Sequence, residues 1–242
     1  MIFAGIVAGG TGTRMGADIP KQFLKTGGKP IIIHTAAKFL ENKSIERIYL
    51  GVHPDWIEYS EKLIKKYELD SSRISIIKGG TDRNTTVFNI IDSIIDEYGK
   101  NENDIILTHD GVRPFVSQKI INDNIEAASK HDACGTYIPA IDTIIRSQNG
   151  NIVFDVPPRQ EMYQAQTPQS FNILKLYQLY HSLSENEKSK LTDTCSIFTL
   201  KGLPVNIVKG DVMNIKITTK SDLLIADLIE KQLKFNKGLP VI

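Results

Sequence analysis

Arg14 and Lys21 stand beside a glycine-rich bend, Ala8-Gly9-Gly10-Thr11-Gly12-Thr13-Arg14-Met15-Gly16, which Pro20-Lys21-Gln22-Phe23-Leu24 follows. Glycine lets the backbone approach a ligand closely and adopt positive φ. Backbone N–H groups in such a bend, with two cations beside them, suit a polyphosphate and the charge that develops when it reacts. The spacing excludes two common phosphate loops. Gly10, Gly12 and Gly16 miss the G-x-G-x-x-G dinucleotide pattern by one residue. Gly5 and Gly10 have Walker A spacing, but Thr11 stands where lysine is required. Alone, the bend reads equally well as a turn between strand and helix.

Four further polar clusters could join it. Gly79-Gly80-Thr81-Asp82-Arg83-Asn84-Thr85-Thr86 leads into a helix, whose free N–H groups suit anions or polar base edges; Asp82 or Asn84 could equally serve as its cap. Thr108-His109-Asp110-Gly111-Val112-Arg113-Pro114-Phe115 sets a carboxylate just past an apolar strand. There Asp110 could meet a Mg²⁺–phosphate complex, or form an Asx turn or a salt bridge with Arg113. Arg159 with Gln166-Thr167-Pro168-Gln169-Ser170-Phe171 reads as a polar loop. Thr192-Asp193 pairs with Asn214-Ile215-Lys216-Ile217-Thr218, where Lys216 points away from its two isoleucines if the segment is a strand. His34, His53, His131 and His181 form no ligand pattern, which argues against a metal phosphohydrolase, and there is no nucleophile elbow or zincin motif. Phosphate loops, several cations and one well-placed carboxylate suit phosphoryl or nucleotidyl transfer, in which positioning and charge stabilisation dominate.

Alternating elements must hold these clusters. Ile2 to Val7, Arg47 to Val52, Ile74 to Ile77 and Asp104 to Thr108 read as strands. Pro30 opens a helix towards Leu40, Asp55 and Glu58 resemble a capping box, and Ser117 caps a helix with Ile120, Ile121 and Ile125 inward. Val87, Ile90, Ile91, Ile94, Ile95 and Tyr98 make one apolar face of a helix. The pattern predicts an α/β fold: a mostly parallel sheet with helices on both faces and the polar clusters along one edge. Between about residues 139 and 158 the pattern changes. Thr143 to Arg146 and Ile152 to Phe154 flank Asn149-Gly150, a hairpin signal for a sheet extension or a dimerisation arm. Later, 172–182 reads as helix, Val205 to Val208 and Ile215 to Ile217 as strands, and Ser221 as the cap of a last helix. One domain over residues 1–242 is expected, without repeats or linkers.

Composition is that of a soluble protein: 41% hydrophobic, 24% charged, 29 basic against 28 acidic residues, net charge +1. The balance argues against a nucleic-acid binder. No apolar run is long enough to insert in a membrane, and Ile2 to Ala8 is too short for a signal peptide. Cys134 and Cys195 are isolated, which points to reduced thiols and a cytoplasmic location.

In this order the motifs resemble the cytidylyltransferases of the methylerythritol-phosphate and ribitol-phosphate type. The resemblance runs from the Ala8–Gly16 bend through Pro20-Lys21-Gln22-Phe23, Gly79-Gly80-x-x-Arg83, His109-Asp110-x-x-Arg113-Pro114, Asp142-Thr143, Gln166-Thr167-Pro168-Gln169-x-Phe171 and Thr192-Asp193 to Asn214-Ile215-Lys216-Ile217-Thr218. It implies a Rossmann-like nucleotidyltransferase fold with a projecting β-arm that builds a homodimer. It also implies CMP transfer from CTP to a polyol phosphate with Mg²⁺. By the same resemblance Arg14, Lys21, Arg159 and Lys216 are the catalytic cations. CTP would lie on Val7, Ala8, Gly9, Gly10, Thr11 and Gly12, on Gly80, Thr81, Asp82, Arg83, Asn84, Thr85 and Thr86, and on Asp110 and Gly111. Asp110, Arg113, Thr143, Arg159, Thr167, Thr192 and Lys216 would hold the acceptor, Arg159 reaching in from the partner subunit. Asp110 would be near the metal.

Val112-Arg113-Pro114-Phe115, Glu161-Met162-Tyr163-Gln164 and Thr192-Asp193-x-Cys195 are similar to the ribitol-5-phosphate branch, which serves teichoic acid or capsule synthesis. Gly111-Val112 replaces the two alanines usual in the methylerythritol branch, while Gly111 and Ala165 also depart from the ribitol pattern. The expected acceptor is ribitol 5-phosphate, with methylerythritol 4-phosphate as the alternative and a non-catalytic nucleotide-binding protein as a rival of another class.

Overall fold

The computed structural model describes residues 1–10 and 19–236; Thr11, Gly12 and Arg14 of the glycine bend lie outside them. In chain order the strands are β1 (Ile2–Ala8), β2 (Lys25–Thr26), β3 (Lys29–Pro30), β4 (Arg47–Val52), β5 (Ile74–Lys78), β6 (Ile105–Asp110), β7 (Ala133–Pro139), β8 (Tyr163–Asn172) and β9 (Asn206–Lys209). The helices are α1 (Ile31–Leu40), α2 (Ile57–Lys66), α3 (Arg83–Tyr98), α4 (Gln118–Ala128), α5 (Ile173–His181), α6 (Glu185–Lys188), α7 (Ser196–Leu200) and α8 (Lys220–Asn236). The main sheet runs in the order β5-β4-β1-β6-β8-β7-β9. β5, β4, β1 and β6 are parallel, β8 runs against both neighbours, and β9 is parallel to β7.

Alternation along each strand divides the core. Ala4, Ile6, Ile48, Leu50 and Leu107 face α1, α2 and α4, which supply Phe39, Leu63 and Ile121. Phe3, Tyr49 and Ile106 face the other way, against Val87, Ile90, Ile91 and Ile94 of α3 and Leu176 of α5. The apolar stripe expected on α3 is therefore the contact that clamps it to the sheet. Gly51 permits that approach, since a Cβ there would lie 2.4 Å from Thr86 Cγ2. β4 and β5 extend the sheet on one side of β1 and β6 on the other. The crevice at the carboxyl ends of β1 and β6 is thus a topological switch point, where open α/β sheets bind ligands.

Several local expectations change. Asp55 forms no capping box: it lies in a 3₁₀ turn, Pro54–Trp56, capped by His53, and Trp56 precedes α2 without a side-chain cap. The cap of α8 is Thr219, whose Oγ1 accepts from Asp222 N–H while Asp222 Oδ2 accepts from Thr219 N–H; Ser221 is already helical. Ile215 to Ile217 forms no strand and pairs with none among the described residues. Gln166 to Phe171, read as a loop, lies within the internal strand β8. The projected hairpin is held by one bridge, Arg146 to Asp155, with Gly150 at φ +77°. Ile145, Ile152, Val153 and Phe154 are exposed there, and an isolated hairpin without an apolar face to pack on forms little ladder.

Candidate active site

The end of β1, the β5–α3 turn, the end of β6 and the 214–217 segment surround a cleft of about 200 Å³. Val7, Ala8, Gly9 and Gly10 form one wall with Lys21 and Gln22. Gly80, Thr81, Asp82, Arg83 and Thr86 form the second, and Asp110, Val112 and Lys216 the third. Gln22, 1% exposed, holds the glycine bend in place: its Nε2 donates to Ala8 O at 2.6 Å and to Gly10 O at 3.0 Å. Opposite, Asp82 caps α3 by accepting from Thr85 N–H and Oγ1–H. Thr86 Oγ1 accepts from Gly80 N–H and donates to Asp82 O, which tightens the turn against the cleft. The capping and ligand-facing readings of this turn are both compatible with its geometry.

Asp110 is the electrostatic centre. Its Oδ1 accepts from Arg83 Nε at 3.1 Å; its Oδ2 accepts from Lys216 Nζ at 2.9 Å and from Arg113 Nε at 3.5 Å. Burial would raise its carboxyl, but Arg83, Lys216 and Arg113 together outweigh burial and hold it far below the usual carboxylate range. One negative charge thus gathers three cations and leaves a positive excess beside the cleft.

A buried chain of hydrogen bonds fixes the turn after β6. Thr167 Oγ1 accepts from Asp110 N–H at 3.1 Å, so its own hydrogen goes to His109 Nδ1 at 3.0 Å. His109 therefore carries its proton on Nε2, which donates to Arg113 O at 3.1 Å. Burial pushes the His109 pKa down to about 4 and keeps the ring neutral. Lys216 arrives by a separate route. Asn214 Nδ2 donates to Thr167 O and Gln166 Oε1, and Ile217 N–H donates to Val112 O. These contacts turn 214–217 over the end of β6.

The remaining expected residues are placed as follows. Gly111 lies behind β1, where its N–H donates to Val7 O and a Cβ would meet Ala8 Cβ at 3.1 Å. Asn84 is buried and its Oδ1 accepts from Thr194 Oγ1, while the Thr85 hydroxyl is spent on the cap. Arg113 is buried beneath Asp110, with Nη1 donating to Asn214 O. Thr143 and Thr192 are exposed outside the cleft lining. Arg159, at the root of the arm, donates from Nη1 to Ile141 O and does not line the cleft of its own chain. Sequence reasoning passed over Gln22, Val112 and Thr194. A buried glutamine between Lys21 and Phe23 leaves no periodic signal, because its partners are backbone carbonyls.

The family described as 2-C-methyl-D-erythritol 4-phosphate cytidylyltransferase (IspD) matches residues 2–232. The chain belongs to this cytidylyltransferase family. A relative from Streptococcus pneumoniae serotype 2, named ribitol-5-phosphate cytidylyltransferase, is 51% identical over 96% of this chain and 100% of its own. The same name and identity apply to a relative from Streptococcus pneumoniae strain R6 (ATCC BAA-255). Among solved structures, 4-diphosphocytidyl-2C-methyl-D-erythritol synthase from Anaerococcus prevotii aligns with a TM-score of 0.79 at 29% identity, covering 95% of each chain. The 2-C-methyl-D-erythritol 4-phosphate cytidylyltransferase of Francisella tularensis gives 0.78 at 30%, covering 94% of this chain and 98% of its own.

Cytidylyltransferases bring two anions together, and the cationic cleft fits that task. The described residues do not fit a resident divalent cation. No three His, Cys, Asp or Glu side chains gather among them, and both oxygens of Asp110 are engaged by cationic groups. No described helix is long and apolar enough to cross a membrane.

Proposed function

We propose that this cytidylyltransferase converts CTP and D-ribitol 5-phosphate to CDP-ribitol and pyrophosphate. The observation that carries the acceptor is the 51% identity, over nearly the whole chain, to proteins named for ribitol 5-phosphate, against 29–30% to the two methylerythritol-named structures.

The nucleophile is an oxygen of the acceptor phosphate, whose second pKa of about 6 leaves it largely ionised at neutral pH, so no general base is needed. It bonds to the α-phosphorus of CTP as the bond to the bridging oxygen breaks, and pyrophosphate leaves with that electron pair. Arg14 and Lys21 neutralise the α-phosphate and the leaving group, and Lys216 steers the acceptor phosphate. Backbone groups of the glycine wall and of the Gly80–Thr86 turn hold the nucleotide. Magnesium would accompany CTP and offset the charge of its phosphates. Arg159 and Thr143 reach the acceptor from the arm of a second copy, a homodimer supported by the exposed apolar arm. The compartment is the cytoplasm, in keeping with the two buried free thiols.

Pyrophosphate release from CTP with each polyol phosphate tests this. Turnover is expected with ribitol 5-phosphate. Turnover with methylerythritol 4-phosphate alone would move the chain to the other branch. Tight CTP binding with no release from either would make it a non-catalytic binder.

A further inference from the structure

We propose that Arg83, braced by Asp110, is a positioning residue that fastens the 192–195 loop to the nucleotide-side helix, rather than a contact to CTP. The proposal rests on the cytidylyl-transfer reading above and assigns Arg83 to the acceptor side of that reaction.

Arg83 is the first residue of α3, directly after the capping Asp82. Its Nε donates to Asp110 Oδ1 at 3.1 Å and its Nη1 donates to Thr194 Oγ1 at 2.8 Å, across 111 positions of chain. Thr194 is fully buried and donates in turn to Asn84 Oδ1, so two consecutive helix residues grip one loop residue. The next loop contact comes from β8: Gln169 Nε2 donates to Asp193 Oδ2. Asp193 Oδ1 also accepts from Ser196 N–H. Exposed Thr192 is therefore followed directly by two pinned residues, Asp193 and Thr194. Two nitrogens of the guanidinium point in fixed directions, a geometry a lysine ammonium does not reproduce. The third, Nη2, is buried without a hydrogen-bond partner among the described residues, and it is the atom by which Arg83 could instead touch a phosphate. The two roles differ in what they perturb. A clasp changes acceptor recognition through Thr194; a nucleotide contact changes CTP affinity without it.

The experiment compares Arg83→Lys, Thr194→Val and the double variant. CTP dissociation constants are measured without acceptor by equilibrium dialysis. KM and kcat are measured with whichever of the two polyol phosphates the wild type turns over. Failure of the wild type with ribitol 5-phosphate would thus count against the proposed acceptor and not against the clasp. Hydrogen bonds to a charged group predict a rise in acceptor KM of about 10-fold or more in each single variant. The double variant should be little worse than either single one, because both remove the same contact. CTP affinity should stay within about twofold of wild type, and Thr194→Ser should restore the acceptor KM, which separates the clasp from general damage should Thr194→Val fold poorly. Loss of CTP affinity in Arg83→Lys, with acceptor KM unmoved in Thr194→Val or failing to recover in Thr194→Ser, would overturn the proposal.

Discussion

Lys216 Nζ lies 2.9 Å from Asp110 Oδ2, joining the end of β6 to a segment that enters the site only after the chain has built the rest of the sheet. Asp110 is 8% exposed at its side chain and Lys216 40%, so the pair has a buried anchor and an accessible cation. Lys216→Ala should therefore reduce kcat/KM by about 10²–10³ with little change in melting temperature. Asp110→Asn should behave differently. It leaves the buried Arg113 guanidinium without its counter-charge and should cost about 3 kcal/mol in urea unfolding. Equal stability of Asp110→Asn and wild type would remove the role of Asp110 as the buried counter-charge of Arg113.

Lys21 lines the same cleft from the turn after the glycine bend. Lys21→Ala should lower kcat for pyrophosphate release by about 10²–10³ while the unfolding midpoint holds. Near-normal turnover would exclude a transition-state contact.

His109 makes a pH prediction. Its pKa is about 4 when folded and 6.5 when free, so between these values the unfolded chain binds a proton that the native chain refuses. Stability then falls on acidification through that window. Asp110, held low when folded, adds a further loss once pH falls below the ordinary carboxylate range. In His109→Gln, the slope of unfolding free energy against pH should be shallower by about one proton near pH 5. Identical slopes in urea melts from pH 7 to 4.5 would refute the neutral, buried imidazole.

Gly80 and Gly10 should separate folding from binding. A Cβ on Gly80 would lie 2.8 Å from the Thr85 carbonyl carbon, whereas one on Gly10 meets nothing within 4 Å among the described residues. Gly80→Ala should destabilise the free protein by about 1–3 kcal/mol. Gly10→Ala should leave thermal stability unchanged and weaken CTP binding, which calorimetry reads directly.

Arg159 does not line the cleft of its own chain, so mixing Lys21→Ala and Arg159→Ala subunits tests whether sites are shared. An equal mixture that re-equilibrates should recover roughly a quarter of wild-type activity, because each mixed dimer keeps one intact site. No recovery in mixed dimers verified by mass would assign Arg159 to its own chain.

The local patterns that were legible are those with local causes. β1, β4, β5 and β6 announce themselves by short apolar runs, α3 by its periodic isoleucines, and Asp82 and Ser117 by their positions before helices. β8 was hidden because most of its buried residues are polar. Ser170 Oγ donates to Asn124 Oδ1, Asn124 Nδ2 to Thr136 Oγ1, and Thr136 Oγ1 to Pro168 O. Three distant segments satisfy one another there, so Gln166 to Ser170 looks like a loop until α4 and β7 are in place.

By itself the sequence determined the residue types of the site, the strand ends that present them and the family to which they point. Glycines, caps and apolar periods act over a few residues, so they are written locally. Only the tertiary structure decided how the charges are shared. Arg83, Arg113 and Lys216 converge on one carboxylate, Thr167 and His109 hold the turn beneath it, and Gln22 ties down the glycine bend. Those partnerships join residues far apart in the chain, and a side chain's partner is set by packing, which no local pattern records.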